Sequence, residues 1–141
     1  MSAKAFLDTN ILVYAYDEYD PRKQKTAQKL LTGGIEQENV VLSVQVLGEF
    51  FNVVTRHIRQ PMSPDEAQDI IATLSILSIQ DIDLTMVNRA IDTHKMYGIS
   101  YWDSLIIAAA ERAQCTSILS EDLNDGQTYH GIQVSNPFKA K

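Results

Sequence analysis

The stretch Lys4-Ala5-Phe6-Leu7-Asp8-Thr9-Asn10 joins a short apolar run to three polar residues, and the rest of the chain is best interpreted outward from it. Residues 4–7 have the length and apolar character of a short buried strand that ends at the carboxylate of Asp8. Asn10 is a good N-cap, so we predict a helix over residues 11–16. A lone carboxylate is costly to bury, so an acid in such a place usually has a cation beside it.

The alternation of strands and helices continues along the chain. After the break at Asp20-Pro21, a second helix is predicted to about residue 31, where Gly33-Gly34 stops it. Further strands are predicted at residues 40–42, 78–82, 117–119 and 131–135, and further helices over residues 44–57, from 64, from 84 to 98 and from 100 to 113. This order predicts an α/β fold, a three-layer α/β/α sandwich with a mostly parallel sheet of four to five strands. No linker is apparent, so residues 1–141 are predicted to form a single domain.

Composition narrows the class of protein. The chain has 45% apolar residues, which is typical of globular proteins, and no apolar run long enough to cross a membrane. Its single cysteine excludes an intrachain disulfide framework and, with no signal-peptide pattern at the start, favours a cytoplasmic location. The net charge of −6 argues weakly against a nucleic-acid partner, yet four basic residues crowd one short segment: Arg22, Lys23, Lys25 and Lys29. That cluster is either a solvated helix face or a contact for such a partner.

Four carboxylates lie inside or at the end of apolar stretches where acids are normally excluded: Asp8, Glu49, Asp103 and Asp122. In open α/β sheets, ligands bind beyond the carboxyl ends of the strands, near the point where strand order reverses. Asp8 and Asp122 follow the first and fourth predicted strands, which are expected neighbours at such a point. Glu49 and Asp103 lie in early turns of two helices that can point to the same edge. Four carboxylates together would suit Mg²⁺ or Mn²⁺, which prefer oxygen ligands.

Each of the four acids also has a structural explanation that involves no ligand. Asp103 stands three residues after Ser100 and could be the acidic half of a capping box. Glu49 could belong to an exposed helix stripe, and Asp8 and Asp122 could be loop residues at strand ends. Four separate structural explanations would all have to hold at once, so we favour one shared site for the four acids.

Five segments of the chain resemble the PIN domain family. They are Phe6-Leu7-Asp8-Thr9-Asn10-Ile11-Leu12-Val13-Tyr14 and residues 46–50, 99–106, 119–127 and 131–138. The length and the C-terminal segment look most like the toxin half of bacterial VapBC toxin–antitoxin pairs. This resemblance implies a Mg²⁺- or Mn²⁺-dependent endoribonuclease that cleaves single-stranded or structured RNA with a metal-activated water. It also implies a cytoplasmic homodimer that a cognate antitoxin inhibits.

The resemblance also implies a set of metal ligands. We expect Asp8 and Asp103 to be the main ligands, with Glu49 and Asp122 completing the acidic cluster directly or through water. One of these carboxylates could act as a general base. In the fourth segment the resemblance places the ligand at Asp122, and Glu121 is expected to face solvent.

Neighbouring polar residues are expected to support these ligands. Thr9, Asn10 and Ser120 would orient the carboxylates through hydrogen bonds. Arg56 either contacts a phosphate of the substrate or is an ordinary surface residue. Asp125 either joins the site or serves as a turn residue before Gly126.

Two other functions fit parts of the sequence. Asp8 could be the nucleophile of an aspartyl-phosphate phosphotransferase or phosphatase, although position 10 is Asn where a second acid is expected. Alternatively, the domain could be a non-catalytic metal- or partner-binding module. Zinc is disfavoured, since His57, His94 and His130 are scattered along the chain.

Overall fold

The computed structural model describes residues 3–139, in which six helices alternate with six short strands of a single sheet. In chain order these are β1 (Ala5–Leu7), α1 (Thr9–Tyr16), α2 (Pro21–Gln37), β2 (Val40–Ser43), α3 (Val44–Arg56), α4 (Pro64–Leu74), β3 (Ser78–Gln80), α5 (Leu84–Tyr97), α6 (Tyr101–Arg112), β4 (Ser117–Leu119), β5 (Thr128–Tyr129) and β6 (Ile132–Ser135).

The strand order of the sheet is β3-β2-β1-β4-β6-β5. All pairs are parallel except β5 with β6, which form an antiparallel hairpin. The chain therefore moves outward from β1 to β3 and then returns to place β4 on the other side of β1. The strand order reverses between β1 and β4, as the sequence predicts, and Leu7 pairs with Leu119 at their carboxyl ends.

The handedness of the connections explains the three layers. Right-handed crossovers in one direction across the sheet place α1 to α4 on one face, and the return crossover places α5 and α6 on the other. The predicted three-layer α/β/α fold with a mostly parallel sheet is confirmed, with one strand more than predicted. The additional strand is β5, which is only two residues long and joins β6 through His130 and Gly131, both at positive φ.

Apolar side chains on both faces of the central strands form the core. Phe6 and Leu7 of β1, Leu42 of β2 and Ile118 of β4 are completely buried. A run of seven residues of α6, from 104 to 110, is buried because this helix crosses β2, β4 and β6. Such continuous burial fits strands that are covered on both faces.

Two predicted helix limits are wrong, one because of a local cap and the other because of a tertiary contact. Helix α1 begins at Thr9, because the carboxylate of Asp8 accepts the Thr9 N–H (2.8 Å) and caps the helix two residues before Asn10. Helix α2 continues through Gly33 and Gly34 to Gln37. Gly34 is needed there because a Cβ atom would come within 2.7 Å of the Cβ of Val40 in β2.

None of the helices in the described part of the chain is both long and apolar enough to span a membrane.

Candidate active site

The site is organised around Asp8, which lies at the carboxyl end of β1. Its backbone N–H donates to the carbonyl oxygen of Leu119 (3.0 Å), which places Asp8 beside the residue that follows β4. That residue is Ser120, whose hydroxyl donates to Oδ2 of Asp8 (2.7 Å). Oδ1 accepts the N–H of Thr9, and Asp8 as a whole is only 7% exposed. Pairing of β1 with β4 thus brings residues 8 and 120 together across the whole length of the chain.

The surroundings of Asp8 disfavour its negative charge. Burial raises its pKa to about 6, although the hydrogen bonds from Ser120 and Thr9 act in the opposite direction. The nearby charges of Glu49 and Asp122 raise the pKa further. Within residues 3–139 no basic side chain forms an ion pair with Asp8. The site therefore holds an excess of negative charge that a cation would relieve.

Glu49 faces Asp8 from helix α3. Its Oε2 accepts the hydroxyl of Thr9 (2.7 Å), and its Oε1 accepts the side-chain amide of Gln45 one turn earlier (2.9 Å). The carboxamide oxygen of Gln45 is itself buried and has no hydrogen-bond donor among the described residues. A buried acceptor without a donor, in a side chain that is bonded to the Glu49 carboxylate, is a second sign that a cation would fit here.

Asn10 ties the loop after β4 to the start of α1. Its amide donates to Oδ2 of Asp122 (3.2 Å) and lies 3.4 Å from the hydroxyl of Ser120, while its carbonyl oxygen accepts the N–H of Glu121 (3.0 Å). Ser120 in turn accepts the N–H of Asp122 (3.1 Å). The position of the Asp122 carboxylate is therefore set by side chains on both sides of the strand-order reversal.

Asp103 approaches the same edge from the first turn of α6. Its N–H donates to the hydroxyl of Ser100 (3.0 Å), so Ser100 is the N-cap of α6, as the sequence predicts. Asp103 is nevertheless half-buried, and burial raises its pKa above the usual range. The charges of Asp122 and Glu49 add to that rise, which places the three carboxylates within electrostatic reach of one another. Capping and membership of the acidic cluster are thus compatible.

The four carboxylates are close but do not converge fully. Among residues 3–139, no three Asp, Glu, His or Cys side chains are near enough together to hold one metal ion as they stand. Their oxygen-only donor set, the shortage of positive charge and the unpartnered oxygen of Gln45 all match a hard divalent cation.

Beside the acids lies an open groove of about 500 Å³. Glu49 and Asp122 line one part of it, and the apolar side chains of Val13 and Val53 line another. His57, eight residues after Glu49, also lines the groove. The sequence did not predict His57 as a site residue, because the three histidines are scattered; its spacing of two helical turns from Glu49 was the available signal.

Two of the other candidate residues make no hydrogen bond or ion pair with the four carboxylates in the described part of the chain. Arg56 is exposed in the last turn of α3 and does not line the groove. Asp125 accepts the N–H of Asn136 (2.7 Å), a bond that holds its pKa below the usual range, and also lies 3.4 Å from the amine of Lys139. Its contacts are those of a turn residue that fastens the C-terminal segment.

The expectation that Glu121 faces solvent is wrong. Its carboxylate accepts the hydroxyl of Tyr14 (2.6 Å) and pairs with the amine of Lys23. Lys23 also lies over the ring of Tyr14, 4.8 Å from its centroid. A basic residue of α2 is thereby fixed next to the acidic cluster, a contact between residues 98 positions apart that no local pattern could indicate.

Solved structures with the same fold come from bacterial toxin–antitoxin systems. A toxin–antitoxin complex from Klebsiella pneumoniae matches with a TM-score of 0.69 and 17% identity, over 97% of this chain and 100% of the other. DNA-bound VapBC from Salmonella typhimurium matches with a TM-score of 0.69 and 14% identity, over 96% and 99%. The VapC20 toxin of Mycobacterium tuberculosis, described as cleaving the sarcin–ricin loop, matches with a TM-score of 0.64 and 19% identity, over 82% and 87%. At these identities the likeness establishes the fold.

The sequence has no match among curated proteins. A family model of the PIN domain, however, matches residues 5–125, which include the four carboxylates and the polar residues that hold them. Since this match spans most of the chain and agrees with the sheet order and the similar structures, the chain belongs to the PIN domain family.

Proposed function

We propose that this protein is an endoribonuclease that depends on Mg²⁺ or Mn²⁺. The observation that carries the proposal is the buried, unpaired carboxylate of Asp8 at the reversal of strand order, with Glu49, Asp103 and Asp122 in electrostatic reach. Membership of the PIN domain family supports it, as does the similar fold of the VapC20 toxin, which is described as cleaving the sarcin–ricin loop.

Asp8 and Asp103 would be the principal metal ligands, and Glu49 and Asp122 would bind directly or through water. A bound divalent ion would lower the pKa of a water molecule and offset negative charge on the phosphodiester as it is cleaved. The protein itself orients the carboxylates through hydrogen bonds. Ser120 and Thr9 each donate a hydrogen bond to Asp8, so its orientation is set before any ion arrives.

The polar residues around the acids would have separate orienting roles. Thr9 directs Glu49 through its hydroxyl, and Asn10 directs Asp122 through its amide. The groove lined by Val13, Val53 and His57 would take the nucleotide next to the scissile phosphate, because it combines apolar walls with an opening at the acids. The site can therefore bind, orient and hydrolyse without a covalent intermediate on Asp8.

The aspartyl-phosphate alternative is less favoured by the contacts of Asp8. Both carboxylate oxygens already accept hydrogen bonds, and the residue is 7% exposed. Attack on a phosphoryl group would require one oxygen to leave these donors, and no acid at position 10 is available to assist.

We further propose that the protein is the toxin of a toxin–antitoxin pair, acts in the cytoplasm, and forms a homodimer. Support comes from the complexes of Klebsiella pneumoniae and Salmonella typhimurium, whose matched chains are covered almost completely. Exposed apolar side chains such as Leu84 and Trp102 offer surface for assembly. Growth arrest on expression, rescue by a protein encoded by a neighbouring gene, and a dimeric mass in solution are the expected results. A monomer without effect on growth would contradict this part.

One experiment tests the nuclease proposal. Purified protein is incubated with single-stranded RNA and with ribosomal RNA stem-loops, in Mg²⁺, in Mn²⁺ and in chelator. Asp8→Asn should reduce the cleavage rate by about a hundredfold or more, since loss of a ligand exceeds the effect of losing a residue that orients one. Asp69→Asn is the matched control, because Asp69 is an exposed acid on α4. Cleavage that survives chelator, or that Asp8→Asn leaves intact, would refute the proposal. Metal binding without any cleavage would instead favour a non-catalytic module.

A further inference from the structure

We propose that a basic pocket on α2, next to the acidic site, binds the phosphates of the RNA strand that flanks the cleavage point. The proposal rests on the ribonuclease function proposed above and assigns its substrate a second contact surface. We call this surface the α2 pocket and define it by Arg22, Lys23, Lys25, Lys29, Phe138 and Lys139.

The α2 pocket concentrates the positive charge of an acidic protein. It is a concavity of about 500 Å³, and its lining contains five of the chain's 12 Lys and Arg residues. Among the described residues that line it, the only acid is Asp20, whose side chain is engaged as the N-cap of α2 with the N–H of Lys23 (3.2 Å). Since the net charge of the chain is −6, most of the remaining surface repels a polyanion, and this pocket is where one can bind.

Three of the basic side chains are available for a ligand. Arg22, Lys25 and Lys29 are exposed, and within residues 3–139 none of them forms an ion pair. Their spacing of three and four residues places them in one row along the helix, opposite the face that buries Ala27 and Leu31. A row of unpaired cations over two helical turns, about 10 Å, matches a strand with more than one phosphate.

Lys23 joins the α2 pocket to the acidic site. Its amine lies 5.6 Å from the ring centroid of Phe138 and pairs with Glu121, the residue that precedes Asp122. Tyr14 contacts the ring of Phe138 edge-on at 5.0 Å and donates to Glu121. A strand bound in the pocket would therefore run directly to the proposed metal ligands, with Phe138 within reach for base stacking.

The test measures RNA binding separately from cleavage. A fluorescein-labelled single-stranded RNA of about 20 nucleotides, longer than the site of a single OB-fold, is titrated with protein in chelator. Binding is followed by anisotropy at several salt concentrations. Arg22→Gln, Lys25→Gln and Lys29→Gln are combined in one variant. For single strands the slope of log K against log salt is about 0.7 for each phosphate that the protein neutralises, so removal of one such cation should weaken binding about fivefold at about 0.1 M salt. The slope should fall by about 2 in the triple variant.

A matched control separates a defined site from overall charge. The control variant combines Lys4→Gln, Arg59→Gln and Lys95→Gln. It also loses three positive charges, but from exposed positions outside the α2 pocket. This control should bind RNA within about twofold of the wild type, and Lys25→Arg with Lys29→Arg should retain binding, because the charges that neutralise phosphates remain. Circular dichroism and thermal denaturation verify that each variant is folded.

Each outcome has a defined meaning. Equal affinities of wild type and triple variant, or equal losses in the triple variant and the control, would overturn the proposal. The nuclease proposal fails separately, if the wild type binds RNA through the α2 pocket but cleaves none. Conversely, normal cleavage with unchanged affinity in the triple variant would reject the pocket and leave the nuclease intact.

Discussion

Replacement of Asp8 by Asn should make the metal-free protein more stable at neutral pH, although it removes a residue of the proposed site. The reason is the cost of an ionised carboxylate in a buried place with no cation beside it. In the folded protein the pKa of Asp8 rises from 3.8 to about 6, first because of burial and then because of the charges of Glu49 and Asp122.

The magnitude follows from this change in pKa. Each tenfold change in an ionisation constant is about 1.4 kcal/mol, so ionised Asp8 costs the folded state about 3 kcal/mol relative to the unfolded chain. Below pH 3.8 both states hold the proton and the cost is absent. As pH rises toward about 6, the unfolded chain has released its proton while the folded protein retains it, so stability falls. Above about pH 6 the full cost is present.

Asn removes the charge but keeps only part of the hydrogen bonding. Its oxygen can still accept the N–H of Thr9, whereas its amide would face the hydroxyl of Ser120 and the amide of Asn10. That mismatch should cost about 1–2 kcal/mol. We therefore expect Asp8→Asn to be more stable than the wild type by about 1–2 kcal/mol at about pH 7.5, and less stable by about the same amount at about pH 4.

Urea denaturation in chelator, from about pH 4 to about pH 7.5, measures this difference across the range in which the proton is released. Addition of Mn²⁺ at the upper end of that range should then stabilise the wild type by about 2.7 kcal/mol at about a hundred times its Kd, and leave Asp8→Asn unchanged. Asp69→Asn, an exposed acid, controls for the change in net charge. If Asp8→Asn were the less stable protein at neutral pH, or if its difference from the wild type did not change with pH, the account of Asp8 would be wrong.

Three further predictions concern other parts of the molecule. Asp122→Asn should slow metal-dependent RNA cleavage by about tenfold or more, while Asp125→Asn, whose carboxylate holds the C-terminal segment, should cleave like the wild type; equal losses in cleavage assays would contradict this. Gly34→Ala should lower the free energy of unfolding by about 1–3 kcal/mol, because its Cβ would meet β2, whereas Gly33→Ala has open space and should raise it by about 0.5–1 kcal/mol; urea denaturation of the two variants checks the pair. Thr93→Val should lower the melting temperature without changing cleavage by the folded protein, because its fully buried hydroxyl bonds an imidazole nitrogen at 2.8 Å; an unaltered melting temperature would refute this.

The α/β class was predictable because its signals are local. Each strand is a short apolar run, and the predicted helices from residues 44, 64 and 100 are each capped by a serine at their start, Ser43, Ser63 and Ser100. Asp8 could be singled out for the same reason, since its place between an apolar run and a helix start is visible within seven residues. The expectation that β1 and β4 meet at the reversal of strand order came from the general rule that open α/β sheets bind ligands at such a point, and the sheet order confirms it.

Local signals failed where a distant contact decides the conformation. Two adjacent glycines normally end a helix, but α2 continues because Gly34 packs against Val40, where any larger side chain would clash. Glu121 was expected to face solvent because the resemblance places the ligand at Asp122, yet Lys23 and Tyr14 hold it. The strand β5 was missed because two residues are too few for any periodicity.

By itself the sequence determined the order of elements, the family segments and the identity of the four acids, because each depends on residue type and short spacing. Tertiary structure alone decided how Asp8 is held between Thr9 and Ser120, how Asp103 comes within reach of Glu49 and Asp122, and where the basic row of α2 lies. The physical reason is that pairing of β1 with β4 joins residues 112 positions apart. Burial then strengthens the electrostatic interactions between them, because the dielectric constant of the interior is low. The sequence supplies the four carboxylates, and only the folded structure buries Asp8 near the charges of Glu49 and Asp122.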